Sequence, residues 1–143
     1  MMRAKEYLQQ VKKLNTMIRN KEAEKAQWKS IALGITSFNG GDRVQSTSNP
    51  QKMADAIGKY IDIEAEINDV IDRLVDTKRE IIATIEELPE SEYDLLHKVY
   101  IQELTLKEAA FAMDKTYSNA TTIHGRALVN VQNILDRKEK GNA

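Results

Sequence analysis

Apolar residues recur at helical spacing along almost the whole chain, broken at a few places by glycine, proline and short polar runs. From Ala4 to about Phe38 good helix formers run without proline, and Tyr7, Leu8, Val11, Leu14, Met17 and Ile18 step by three and four. This is the period of a helix with one buried face. The stripe thins across Arg19 to Lys25 and returns at Trp28, Ile31, Ala32 and Ile35, so the middle turn is expected to be wetter. Asn39-Gly40-Gly41-Asp42 is expected to end the helix, because glycine takes the left-handed conformation at little steric cost. A second helix is predicted to start at Pro50, where a missing backbone N–H costs nothing, with Asn49 as its cap. Its stripe runs Met53, Ile57, Tyr60, Glu64, Ile67, Ile71, Leu74, Lys78, Ile81, Ile85 and Leu88. Ile61, Val70, Val75 and Ile82 widen it beyond one seam, which calls for more than one partner helix. Such a helix spans roughly 55 Å at 1.5 Å per residue. Folding back of the first helix covers part of the stripe, and self-association, with a dimer favoured, would cover the rest.

Pro89 breaks the pattern. Glu92, Leu95, Leu96, Val99 and Tyr100 mark a short helix, and Thr105-Leu106-Lys107-Glu108 has the residues of a capping box opening a second one to about Met113. Asp114-Lys115 fills a tight turn, Thr116 can cap a third helix, and Ala120, Ile123, Ala127, Leu128, Val131, Ile134 and Leu135 form its inward face. The fold class is therefore all-α. A long antiparallel helical hairpin over 1–88, for packing and oligomerisation, precedes a three-helix helix-turn-helix domain over 89–143.

In that motif the last helix enters a major groove with its first turns nearest the base edges. The residues placed to meet DNA are Lys115, Thr116, Tyr117, Ser118, Asn119, Thr121, Thr122 and Arg126. Asn119 can read adenine through two hydrogen bonds, hydroxyls can reach phosphates or bases, and Lys115 and Arg126 can neutralise phosphates. The same residues would also serve as the solvated face of an ordinary three-helix core.

Composition narrows the alternatives. The net charge of −1 hides a division: residues 1–30 carry eight Lys/Arg against three Asp/Glu, and residues 51–88 carry five against ten. That asymmetry suits pairing between helices of opposite charge. From Lys115 to Lys140 five basic residues face two acidic ones, a weak field that calls for a dimer or an accessory protein. With no cysteine there is no disulfide or thiolate site, and a reducing, cytoplasmic setting fits. No run approaches the ~18 apolar residues of a membrane span. His97 and His124 lie in no metal-binding spacing, and no phosphate loop, nucleophile elbow or serine–base pair occurs, so neither catalysis, metal nor cofactor is expected. Glu64 and Lys78 could set register between chains or sit at the stripe's edge. Trp28 reads as a core or interface anchor. Asp42 to Ser46 reads as a connector or a recognition loop.

Met2-Arg3-Ala4-Lys5-Glu6-Tyr7-Leu8, Arg43-Val44-Gln45-Ser46, Met53-Ala54-Asp55-Ala56-Ile57 and Ile123-His124-Gly125-Arg126-Ala127-Leu128 together resemble a family of unassigned function from phages and prophages of Gram-positive bacteria. That family is similar to late transcription regulators of the ArpU and RinA types. Its C-terminal part is similar to region 4 of sigma factors. The resemblance implies a regulator that binds double-stranded DNA through the helix-turn-helix, with host RNA polymerase as a further partner. Thr105 to Met113 then matches the first motif helix, Asp114-Lys115 the turn, and Tyr117 to Leu128 the recognition helix. Asp114 stands where such motifs usually hold glycine, and Ala109 and Ala120 stand where they usually hold larger aliphatics. Two other readings fit the pattern: a protein that binds RNA polymerase or a sigma factor without touching DNA, and a phage assembly or packaging component.

Overall fold

The computed structural model describes residues 2–34 and 50–141. All secondary structure among them is helical: α1 (Ala4–Leu8), α2 (Gln10–Ala32), α3 (Pro50–Ile85), α4 (Glu90–Leu96), a π-helical turn (His97–Ile101), α5 (Leu106–Ala112) and α6 (Tyr117–Gly141). Asn49, the tandem glycines 40–41 and the 42–46 segment lie outside the described residues, as do Ile35 and Phe38.

The expected first helix is two segments meeting at Gln9, and it ends before Phe38. Hydrogen bonds from Gln9 N to Lys5 O (3.0 Å) and from Lys13 N to Gln9 O (3.0 Å) carry the backbone across the junction. Its stop is Gly34, with φ at +75° and its N–H on Ile31 O at 3.0 Å. A left-handed glycine just past the last turn satisfies a carbonyl that the helix leaves open, so the chain stops at the first glycine it meets. α3 begins at Pro50 as its pattern predicts, and it closes in a turn with Leu88 N on Ile85 O at 3.0 Å before Pro89.

The chain forms two compact units, Asn15–Arg73 and Met1–Leu14 with Leu74–Ala143. In the first of these, Lys21 Nζ meets Glu66 Oε1 at 2.7 Å and Lys25 Nζ meets Glu64 Oε2 at 3.7 Å, while Lys25 also stands 5.4 Å from the centre of the Tyr60 ring. Those lysines occupy the stretch where the α2 stripe thins. Exposed pairs of this kind contribute about 0–1 kcal/mol each, so burial must supply most of the packing energy. On α3 the buried line is Ala56, Ile63, Ile67 and Val70. Ile57 and Ile71, which the four-three stepping placed inside, are 49% and 39% exposed, and Ile61 is 57% exposed. The apolar band of α3 is wider than a charged, thinly apolar α2 can cover. Glu64, a candidate for contacts between chains, pairs with Lys25 of its own chain. Trp28 is half-buried.

The other unit holds the main core. Ala4, Tyr7, Leu8 and Val11 pack with Ile81, Ile85, Leu88, Leu96, Tyr100, Ala127, Val131 and Ile134. A side chain as fully buried as Leu8 contributes about 2 kcal/mol. Polar ties fix the register. Ala4 N donates to Gln132 Oε1 at 2.8 Å, and the Tyr7 hydroxyl and Thr84 Oγ1 are 2.8 Å apart in a buried contact. Glu92 is only 4% exposed and accepts from Asn130 Nδ2 at 2.7 Å. A carboxylate withdrawn from water needs such a donor, and this one ties α4 to α6.

Beyond α4 the expected short helix opens into a π turn. Gln102 N reaches back five residues to His97 O at 3.0 Å, and Glu103 then takes φ +61°. Tyr100 is thereby turned into the core.

Candidate nucleic-acid interface

The geometry begins at Thr105. Its Oγ1 accepts from Glu108 N at 3.0 Å while Glu108 Oε1 accepts from Thr105 N at 2.8 Å, the reciprocal box its sequence predicts. α5 ends at Ala112, Asp114 takes the left-handed conformation at φ +57°, and Lys115 N closes the turn onto Ala110 O at 2.9 Å. Asp tolerates this conformation better than most residues because its short polar side chain can bond locally. Thr116 Oγ1 then accepts from Asn119 N at 3.0 Å and starts α6. Ala109, Ala110 and Ala120 are buried with Leu95 and Ile123. Alanine at these contacts lets α5 and α6 approach closely, with little side-chain volume between them.

Thr116, Tyr117, Ser118, Asn119, Thr121, Thr122 and Arg126 are exposed, and Lys115 is half-exposed. At 100° per residue, Ser118 and Thr122 lie opposite the buried Ala120–Ile123–Ala127 line. Asn119 and Arg126 lie on one flank of that outward face, and Tyr117 and Thr121 lie on the other. The hydroxyls differ in what they can offer. Thr121 and Thr122 donate to the carbonyls of Tyr117 (2.9 Å) and Ser118 (3.2 Å), so they remain acceptors toward a partner. Thr116 accepts from the backbone and keeps its proton to donate. The side chains of Asn119, Lys115 and Arg126 make no hydrogen bond or ion pair among the described residues.

The basic count over Lys115–Lys140 overstates the available charge. Arg137 Nη2 lies 2.7 Å from Glu87 Oε1 and Lys138 Nζ lies 3.8 Å from Glu87 Oε2, so both are committed within the unit. Lys115 and Arg126 are the cations that α6 and its turn present near the outward row.

Sequence patterns missed the other side of α6. The Tyr100 hydroxyl and His124 Nε2 are 2.8 Å apart, with the rings stacked at 5.8 Å and 15°. Burial, aided by the charge of Lys5, pushes the imidazole of His124 below its ordinary value. An open notch of about 320 Å³ lies here, lined among others by Lys5, Gln9, Lys12, Tyr100, Glu103 and His124. The excess of lysine and arginine in residues 1–30 was the available signal, but nothing local tied it to α6. His97 bonds Gln102 through Nδ1 at 2.9 Å and faces Tyr93. Among the described residues no group of three His, Cys, Asp or Glu could hold a metal ion, and no helix is long and apolar enough to cross a membrane.

The fold and this surface define a class: an all-helical protein that presents the first turns of a long, capped helix beside a short one. Over 137 residues, 92% of this chain and 72% of the relative, the sequence is 25% identical to the RNA polymerase sigma factor SigO of Bacillus subtilis (strain 168). No family model and no solved structure matches.

Proposed function

We propose that this chain is a non-catalytic, DNA-binding transcription regulator, in which α5 and α6 act as a helix-turn-helix of the sigma region 4 kind and α6 enters the major groove. The hairpin formed by α2 and α3 is the packing and oligomerisation element, and residues 89–143 carry the DNA-binding function. The exposed isoleucines of α3 support a homodimer, whose two α6 helices would address successive major grooves. A phage or prophage setting rests on the sequence resemblance alone. One observation carries the reading: Lys115, Asn119 and Arg126, whose side chains have no partner among the described residues, stand in the turn and on the first turns of a helix held in place by the Thr116 cap and the Asp114 turn. Similarity to a sigma factor over most of the chain supports the same reading. Selection from a randomised duplex pool tests it. Enrichment of a sequence motif that depends on Asn119 is the expected result, and failure to enrich any motif overturns it.

A second reading, a contact with RNA polymerase through the same domain, is favoured by Phe111, which is 76% exposed on α5. Loss of binding to purified polymerase in Phe111→Ala, with DNA selection intact, would show that both surfaces operate.

A further inference from the structure

The DNA reading leaves a shortfall that the rest of the unit can fill. A helix-turn-helix that offers only Lys107 on α5, Lys115 in the turn and Arg126 on the first turns of α6 neutralises few phosphates, since Arg137 and Lys138 serve Glu87. Phosphate neutralisation dominates affinity for duplex DNA, so other cations beside α6 matter. The N-terminal helix is positioned to supply them. Ala4 is bonded to Gln132 of α6, and Tyr7, Leu8 and Val11 lie in one core with Ala127 and Val131 of α6. Lys5 and Lys12 stand seven residues apart, two helical turns, and both line the notch that His124 closes on the α6 side. The Lys5 side chain is exposed and makes no ion pair or hydrogen bond among the described residues. His124 follows Thr121 and Thr122 and precedes Arg126, so the notch adjoins the flank of α6 that bears Thr121 and Tyr117. Asn119 and Arg126 occupy the other flank.

We infer that α1 forms a second wall of the DNA footprint, in which Lys5 neutralises a backbone phosphate on the Tyr117–Thr121 side of α6. This rests on the proposed DNA binding and adds to it residues far away in sequence. The contact is sequence-blind, because an ammonium on a phosphate oxygen reads charge and carries no base information. It fixes the roll of α6 in the groove between cations on its two flanks, Arg126 on one and Lys5 on the other.

The test is fluorescence anisotropy of a labelled mixed-sequence duplex over a salt series, with the full chain and its variants. Lys5→Gln should weaken binding about threefold to tenfold and lower the log–log salt slope by about one. Lys29→Gln removes the same charge from an exposed site in the other unit and should leave the slope unchanged, which controls for net charge. Thermal melts should coincide for wild type and Lys5→Gln, because that side chain is exposed. If Lys5→Gln keeps the wild-type slope while Arg126→Ala lowers it, the N-terminal wall is wrong and the DNA reading stands. If the wild type shows no salt-dependent binding, both fall together.

Discussion

Replacing Tyr7 with Phe tests how the N-terminal helix is held against the end of α3. Tyr7 is 6% exposed, and its hydroxyl lies 2.8 Å from Thr84 Oγ1. Near neutral pH the variant loses that bond. Thr84 keeps its donation to Glu80 O at 3.1 Å and a contact from Lys138 Nζ at 3.3 Å, so the loss should be about 1 kcal/mol. In alkali the sign turns. Burial, together with the nearby Glu80 and against the opposing effect of the Thr84 bond, pushes the phenol up from 10.0 to about 12. Between those values the unfolded chain releases a proton that the folded chain keeps. Stability therefore falls as pH rises through the window, at about 1.36 kcal/mol per pH unit and about 2.7 kcal/mol across it. Phe has no such proton. Urea unfolding at pH 8 should show the variant less stable by about 1 kcal/mol, and by pH 12 it should be the more stable protein by about 1–2 kcal/mol. Lysine titration is common to both proteins and cancels in the difference. A gap between the two that stays constant from pH 8 to pH 12 would refute the buried hydroxyl pair.

Two further substitutions probe the domain. Asp114→Gly relieves a non-glycine residue at φ +57° and should raise stability by about 0.5–1 kcal/mol, or about 2–3 °C in Tm by calorimetry; a lower Tm would show that the Asp side chain stabilises the turn. Asn130→Ala removes the donor from the buried Glu92 carboxylate and should cost about 2–3 kcal/mol in urea unfolding, with Asn130→Asp costing more because two carboxylates then face each other. Equal stability of the wild type and Asn130→Ala would mean that Glu92 is hydrated.

What the sequence makes legible here is what spans a few residues. The start at Pro50, the break at Pro89, the Thr105–Glu108 box, the left-handed Asp114 and the Thr116 cap are each set by hydrogen bonds or backbone limits within one turn. The exposed row of α6 follows from the same period that buries Ala120, Ile123 and Ala127. Three things lie beyond local pattern. Gly34 ends α2 where the tandem glycines looked like the stronger signal, because a single glycine suffices once apolar contacts no longer hold the helix. Periodicity shows that α3 is apolar over a wide arc, but the choice of Ile63 and Ile67 over Ile57 and Ile71 as buried positions depends on which face α2 covers. Contacts of long sequence separation leave no mark at all: Lys5 near His124, Tyr7 on Thr84, and the capture of Arg137 by Glu87 are set by how the core closes. They commit Arg137 and Lys138 to Glu87 and bring Lys5 beside α6.

If α6 meets duplex DNA through its exposed first turns, binding must depend on salt. For the wild type, log Kd should rise linearly with log salt, with a slope near 0.9 per neutralised phosphate. Arg126→Ala should lower that slope by about one and weaken all sequences alike, while Asn119→Ala should keep the slope and flatten the preference among sequences by about 1–3 kcal/mol. Binding indifferent to salt, or equal and sequence-blind losses in both variants, would contradict the account.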